Sequence, residues 1–200
     1  MTRIAIVYHS AYGHTESQAK AVARGAESVE DTVVRLLSVD VMDKHLSDLK
    51  SADAIIFGSP TYMGSVSGPF KTFMDSTSKL WLTQSWKDKI AAGFTNSGSQ
   101  NGDKLNTLIQ LAIFAAQHGM IWIGLDLLPG NNSSNGSVND LNRLGSFLGA
   151  MAQSNVDEGP DKSPPESDLE TAAHLGMRVA LATKQWLYGA KSLNETSATK

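Results

Sequence analysis

Hydrophobic positions along the chain alternate between two periods, and that alternation predicts its elements. Residues 4–8 are a continuous, β-branched apolar run of strand length, which suits a strand buried on both faces. Ala19, Val22, Ala23, Ala26 and Val29 then recur at helical spacing. Residues 33–37, 53–58, 89–95 and 120–125 predict four more strands, the third of the five stopping at Ser59-Pro60. Phe70, Phe73 and Met74, after Gly68-Pro69, give a short helix signal. Leu105, Leu108, Ile109, Ala112, Ile113 and Ala116 form a longer helical stripe that ends at His118-Gly119, where glycine suits a helix C-terminus. A last helix starts near Pro165, with Ser167 and Glu170 spaced as a capping box and Leu169, Ala173, Gly176, Ala180 and Leu187 in register. Strands alternating with helices predict an α/β fold: a doubly wound, five-stranded parallel sheet, order 2-1-3-4-5, with helices on both faces. One domain spans residues 1–190, and the polar residues 191–200 read as a frayed tail.

Residues 126–164, rich in Asn, Ser and Gly, are longer than a structureless loop in a compact domain normally is. They are an active-site wall, a subunit contact or partly disordered. Asn131, Asn132 and Asn135 each open an Asn-x-Ser triplet, but no export signal accompanies them, so glycosylation is not expected.

Composition narrows the picture. Two hundred residues fit one α/β domain, and 41% hydrophobic with 18% charged residues argue against disorder. The balance of 17 basic and 20 acidic residues lacks the basic footprint of a nucleic-acid binder. The absence of cysteine excludes disulfides, thiolate metal sites and a cysteine nucleophile. Met1-Thr2-Arg3 leads straight into a strand, and no apolar run reaches the roughly 20 residues of a membrane span, so a cytoplasmic protein is expected.

In an open parallel sheet, ligands bind beyond the carboxyl ends of the strands. Three loops there are chemically specialised. Ser10-Ala11-Tyr12-Gly13-His14-Thr15 carries hydroxyls and a glycine into a helix N-terminus, a setting that favours a phosphate. It lacks the G-x-x-x-x-G-K-[ST] and G-x-G-x-x-G patterns, which disfavours ATP and dinucleotide loops. Ser59-Pro60-Thr61-Tyr62-Met63-Gly64 offers an aromatic ring and a thioether beside polar backbone, which suits a flat amphipathic ring system. Asn96-Ser97-Gly98-Ser99-Gln100-Asn101-Gly102 presents small polar groups and backbone donors, suited to the uracil-like edge of a flavin or to a phosphate. Each loop taken singly is also compatible with an ordinary turn. The fold brings all three to one rim.

The segments HSAYGHTES (9–17), GSPTYMGSVSGPFKTFMD (58–75), FTNSGSQNG (94–102) and QHGM (117–120) resemble the WrbA family across residues 3–125. The resemblance implies a flavodoxin-like, FMN-binding NAD(P)H:quinone oxidoreductase. By that resemblance Ser10, Tyr12, Gly13, His14 and Thr15 hold the FMN phosphate. Pro60, Thr61, Tyr62, Met63 and Gly64 line one side of the isoalloxazine. Ser97, Gly98, Ser99, Gln100, Asn101 and Gly102 line the other side and meet its polar edge. His118 matches a family histidine near the flavin pocket, and Trp81 a tryptophan that packs at the flavin across a subunit contact. A homodimer or homotetramer is therefore expected. The chain departs from the family at residues 101–106, where Asp103 and Lys104 replace a glycine and a glutamine. It is also short between strands 2 and 3, and Leu148-Gly149-Ala150 replaces a Tyr-Gly-Ala.

His118 is read as a proton donor to quinone or a neighbour of the ring, with a helix-terminal histidine favoured by the dipole as the alternative. His9 is read as structural, and His45 and His174 as lacking a partner pattern. Trp86 and Trp186 are read as core or interface, and Asp40, Asp43 and Asp48 as a solvated cluster. No metal-ligand spacing and no G-x-S-x-G nucleophile elbow occur. The expected mechanism is ping-pong. NAD(P)H reduces the flavin and leaves, and a quinone takes its place and receives two electrons, each donor and acceptor held roughly 3–3.5 Å apart by stacking. A one-electron carrier of the flavodoxin kind is the alternative, although a net charge of −3 is modest for its acidic docking face. A regulatory or scaffolding protein is the third possibility, without a sequence feature in its favour.

Overall fold

The structure, a computed structural model, describes residues 1–44 and 46–198. His45 lies outside the described residues, as does the side chain of Asp43. The first apolar run forms β1 (Thr2–Tyr8), followed by α1 (His14–Glu27) and β2 (Thr32–Ser38). A 3-10 turn at Val39–Lys44 and the short α2 (Leu46–Ser51) lead into β3 (Ala54–Tyr62), which turns back as β4 (Ser65–Val66). Then come α3 (Gly68–Ser76), α4 (Ser78–Leu82), β5 (Ile90–Ser97), α5 (Lys104–Gln117), β6 (Ile121–Trp122), β7 (Ala150–Gln153) and α6 (Glu166–Ala198). The main sheet runs β2-β1-β3-β5-β6, all parallel, which is the predicted order.

Alternation along β1 divides the core. Ile4 and Ile6 pack with α1 and α6 on one face, while Ala5 and Val7 join Phe70, Phe73, Leu108, Leu111 and Phe114 on the other. Trp86 is wholly buried, wedged with Phe57 and Phe114. Trp186 stays 44% exposed on α6. Helices α1 and α6 cross closely because two glycines meet there. A Cβ on Gly25 would lie 1.8 Å from the Ala173 carbonyl oxygen, and one on Gly176 would lie 1.9 Å from that of Val22.

Three local expectations are corrected. The fifth strand is not continuous over residues 120–125. Only Ile121 and Trp122 pair, with Ile90 and Ala91. After an excursion, β7 takes the same side of β5 further along, from Phe94↔Ala150 to Ser97↔Gln153. Gly149 permits the return, since a Cβ there would lie 2.1 Å from the Gly93 carbonyl oxygen. The stretch 126–164 thus contributes a strand to the sheet.

The stripe on α5 is out of phase with the burial. Thr107, Leu108, Leu111, Phe114 and Ala115 face the sheet, and Leu105, Ile109 and Ile113 lie exposed on the outer side. Both faces are apolar, so periodicity alone does not choose between them.

Ser167 does not form a capping box with Glu170. Its hydroxyl donates to the Val138 carbonyl (3.0 Å), and Glu170 pairs with Arg24 of α1 (2.8 Å). Residues 191–198 continue α6, and residues 199–200 lie outside the described part.

Candidate functional site

The loop after β1 is shaped by Ser10. Its Oγ accepts the backbone N–H groups of Gly13 and Glu16, both at 3.1 Å, and so caps the start of α1. Gly13 sits at φ +90°, and any Cβ there would meet Pro160 Cγ at 2.7 Å. Thr15 is buried in the first turn of α1, with the remaining N-terminal amides and the positive end of the helix dipole around it. Residues 154–163 cover this loop, which nothing in the hydrophobic pattern signalled. Glu158 accepts a hydrogen bond at its carbonyl from His14 Nε2 (2.8 Å), and Ser17 Oγ donates to the Pro160 carbonyl (3.3 Å).

The second and third loops are brought together by register, because Pro60 on β3 lies opposite Asn96 on β5. Ser10, Tyr12, His14 and Thr15 then share a cleft with Pro60 and Tyr62 and with Asn96, Ser97 and Gly98. Its volume is about 590 Å³, and Ser154, Val156 and Glu158 close its remaining side. Small-molecule sites span about 300–1,000 Å³, so the cleft is of that class. Tyr12 is 75% exposed at its mouth. Burial raises the Tyr62 phenol above its ordinary value, with Tyr12 adding to the effect, so Tyr62 stays neutral at physiological pH.

The other predicted residues have different positions. Thr61 points into the protein, where its Oγ1 bonds Thr95 Oγ1 (2.7 Å) and Thr107 Oγ1 (2.8 Å). Met63 and Gly64, at φ +49° and +74°, form the exposed turn between β3 and β4, tied by Asn106 Nδ2 donating to the Gly64 carbonyl (2.6 Å). Gln100 and Asn101 line a separate groove with Arg143, Phe147, Leu148 and Met151. Gly102 turns at φ +56° against Ser97 Oγ. His9 is structural, its Nδ1 bonded to Ser67 Oγ (2.8 Å).

Two charged elements that the sequence reading did not single out as a site support the third loop. Lys104 is fully buried, and its Nζ donates to Ser97 Oγ (2.8 Å) and to the Ser99 carbonyl (2.5 Å). Beside it, Arg143 and Asp168 make a bidentate ion pair, both bonds 2.8 Å, with side chains almost wholly buried. Asp168 also accepts the Gln153 N–H (2.9 Å), and Gln153 Nε2 donates to the Gly98 carbonyl (3.0 Å). A chain of polar contacts therefore runs from the start of α6 to the cleft wall.

Trp81 and His118 do not line this cleft. They share a second groove with Met74, Thr77, Ile113 and Phe114 between α3, α4 and α5. The His118 ring lies 4.3 Å from that of Trp86, and its Nε2 contacts Thr77 Oγ1 (2.9 Å). Thr77 gives its hydroxyl proton to the Met74 carbonyl (2.7 Å), so Nε2 carries the imidazole proton. Burial pushes the His118 pKa down to about 4, which keeps the ring neutral at physiological pH. The unfolded chain takes up this proton near about 6.5 and the folded chain only near 4, so stability should fall as pH drops through that window. Urea midpoints followed across it should fall less steeply for His118→Gln. An equal slope in both proteins would contradict the neutral, buried ring.

Residues 13–131 match the family model described as NADPH-dependent FMN reductase. Flavodoxin FldP of Pseudomonas aeruginosa is 42% identical, over 92% of this chain and 98% of its own. Quinone-oxidoreductase QR2 of Triphysaria versicolor is 34% identical over 92% and 96% respectively. The crystal structure of a flavodoxin, WrbA-like protein from Agrobacterium tumefaciens superposes with a TM-score of 0.71 at 40% identity, covering 92% of this chain and 99% of that one. With the sheet order and the cleft beyond its carboxyl edge, these likenesses establish that the chain belongs to the NADPH-dependent FMN reductase family and has the flavodoxin-like fold of its WrbA-like relatives.

Proposed function

We propose that the cleft binds FMN and that the protein passes two electrons from NAD(P)H to a quinone. The observation that carries this is the convergence on one cleft of an anion site at the start of α1 and two facing walls at Pro60–Tyr62 and 96–98. The residues fit the group. Hydroxyls, helix amides and the dipole suit the phosphate, while Pro60 and Tyr62 opposite small polar residues suit a flat ring with one polar edge. When bound, FMN supplies a ring that takes two electrons and a proton from NAD(P)H and returns them to an acceptor.

The protein's part is placement. Ser10, Thr15 and the Gly13 turn hold the phosphate. Tyr62 flanks the ring, and Ser97 with Gly98 meets its polar edge. A single open face serves nicotinamide and quinone in turn, which makes the kinetics ping-pong. Initial-rate lines for NAD(P)H at several benzoquinone concentrations should run parallel, and intersecting lines would refute alternation.

Trp81, exposed beside an apolar outer face that includes Ile109 and Ile113, acts from a second copy of the chain, whereas His118, buried and bonded to Thr77, has a structural role. Trp81→Ala should then lower turnover and weaken self-association measured by sedimentation. Loss of turnover from a protein of unchanged assembly would return Trp81 to a role within one chain. The 42% likeness to a protein named flavodoxin favours one-electron transfer as a second reading. A one-electron-reduced form that persists through a dithionite titration would support it, and direct passage to the two-electron-reduced form would exclude it.

A further inference from the structure

Lys104 is an expensive residue for its apparent task. It donates to Ser97 Oγ and to the Ser99 carbonyl, which already accepts from the Ser97 hydroxyl (3.1 Å), and a neutral amide could do the same without the desolvation cost of a buried ammonium group. The ammonium lies one hydrogen bond behind the cleft wall, since Ser97, its 2.8 Å partner, lines the cleft. Its other partner, the Ser99 carbonyl, belongs to the same loop. The neighbouring charges do not cancel it. Arg143 and Asp168 neutralise each other through their two 2.8 Å bonds, which leaves one net positive charge buried under residues 97–99.

We propose that Lys104 is a positioning residue whose buried cation, acting through the loop 97–99, makes the site hold reduced, negatively charged FMN more tightly than oxidised FMN. This rests on the FMN reading of the cleft. In the first half-reaction NAD(P)H and FMN give NAD(P)⁺ and FMNH⁻, so two electrons and one proton arrive and the ring gains a negative charge. In the second, FMNH⁻, a quinone and one proton from solvent give FMN and the hydroquinone. On that reading the polar edge of the ring, which would carry that charge, would lie against the third loop. A fixed positive charge behind a dry wall stabilises it with no reorganisation at the moment of transfer.

The same geometry links reduction to pH. Burial lowers the Lys104 pKa to about 8, Asp168 opposing the shift and Arg143 adding to it, and these are the charged groups acting on it among the described residues. A negative charge arriving in the cleft favours the protonated amine. Above about pH 8 two-electron reduction therefore draws one extra proton onto Lys104.

The test compares the wild-type protein with Lys104→Gln and Lys104→Arg, each loaded with FMN. Affinity for oxidised FMN is measured by fluorescence quenching, and the two-electron potential against a reference dye. Lys104→Gln should weaken reduced FMN about tenfold more than oxidised FMN, a potential lower by about 30 mV for a two-electron couple, and Lys104→Arg should restore most of it. Equal weakening of both states would reduce Lys104 to a strut for the loop and overturn the proposal. If the variants do not fold, the wild-type protein still decides. Its potential should fall more steeply with pH above about pH 8 than below it, and an unchanged slope overturns the proposal. Wild-type protein with no affinity for FMN would instead overturn the FMN reading, and this proposal with it.

Discussion

Thr15→Glu is expected to abolish FMN binding. Thr15 stands in the first turn of α1 and lines the cleft, so a glutamate there projects its carboxylate toward the proposed phosphate site. Two unit charges about 4 Å apart repel by about 4 kcal/mol at the effective dielectric of a protein surface, close to a thousandfold in affinity. An acidic group in the first turn gains about 0.3–1 kcal/mol from the dipole, which offsets part of the cost of a larger, charged side chain at a buried position. FMN titration should show the loss, and a urea midpoint that still reports a cooperative fold for the ligand-free protein should separate it from unfolding. Thr15→Ser keeps the hydroxyl and should bind within a few-fold of wild type. FMN bound at normal affinity by Thr15→Glu would mean that the phosphate lies elsewhere.

Asp168→Asn is expected to cost stability on the scale of the whole fold. The pair Arg143–Asp168 is buried, and removing one partner strands the other charge without solvent, typically costing about 3–5 kcal/mol. The same carboxylate accepts the Gln153 N–H, and Gln153 in turn holds Gly98. The loss should therefore appear as a lower urea midpoint together with weaker FMN binding. Replacing both partners by apolar residues, as in Arg143→Met with Asp168→Leu, should recover much of the stability but not the FMN affinity, because the stranded charge is gone while the bond to Gln153 is still missing. A cost under about 1 kcal/mol for the single change would show that the pair behaves as an exposed one.

The core of the fold is legible residue by residue. The runs at 4–8 and 53–58 are continuous because parallel strands are covered on both faces, and Ile4 and Ile6 against Ala5 and Val7 show both faces in use. The loop at Ser10 is legible only together with the other two, because hydroxyls and a glycine before a helix also make an ordinary capped turn, and Ser10 does cap α1. Helix α5 is the instructive failure. Leu105, Ile109 and Ile113 complete a helical stripe as well as Leu108, Leu111 and Phe114 do, yet only the second set meets the sheet. An apolar face left outside reads the same in sequence as a face inside, and packing alone tells them apart.

The sequence by itself determined the α/β class and three of the walls of the cleft, because each depends on local periodicity or on short-range turn chemistry. Tertiary structure decided the rest. It folded residues 154–163 over Gly13 and His14, divided the fifth strand around an excursion, and set His118 and Trp81 together in another groove of the same chain. It also set a buried lysine beneath residues 97–99 and an ion pair beside it. These features share one physical cause. Each depends on which distant segment desolvates a side chain, and burial, unlike periodicity, is not written in the spacing of residues along the chain.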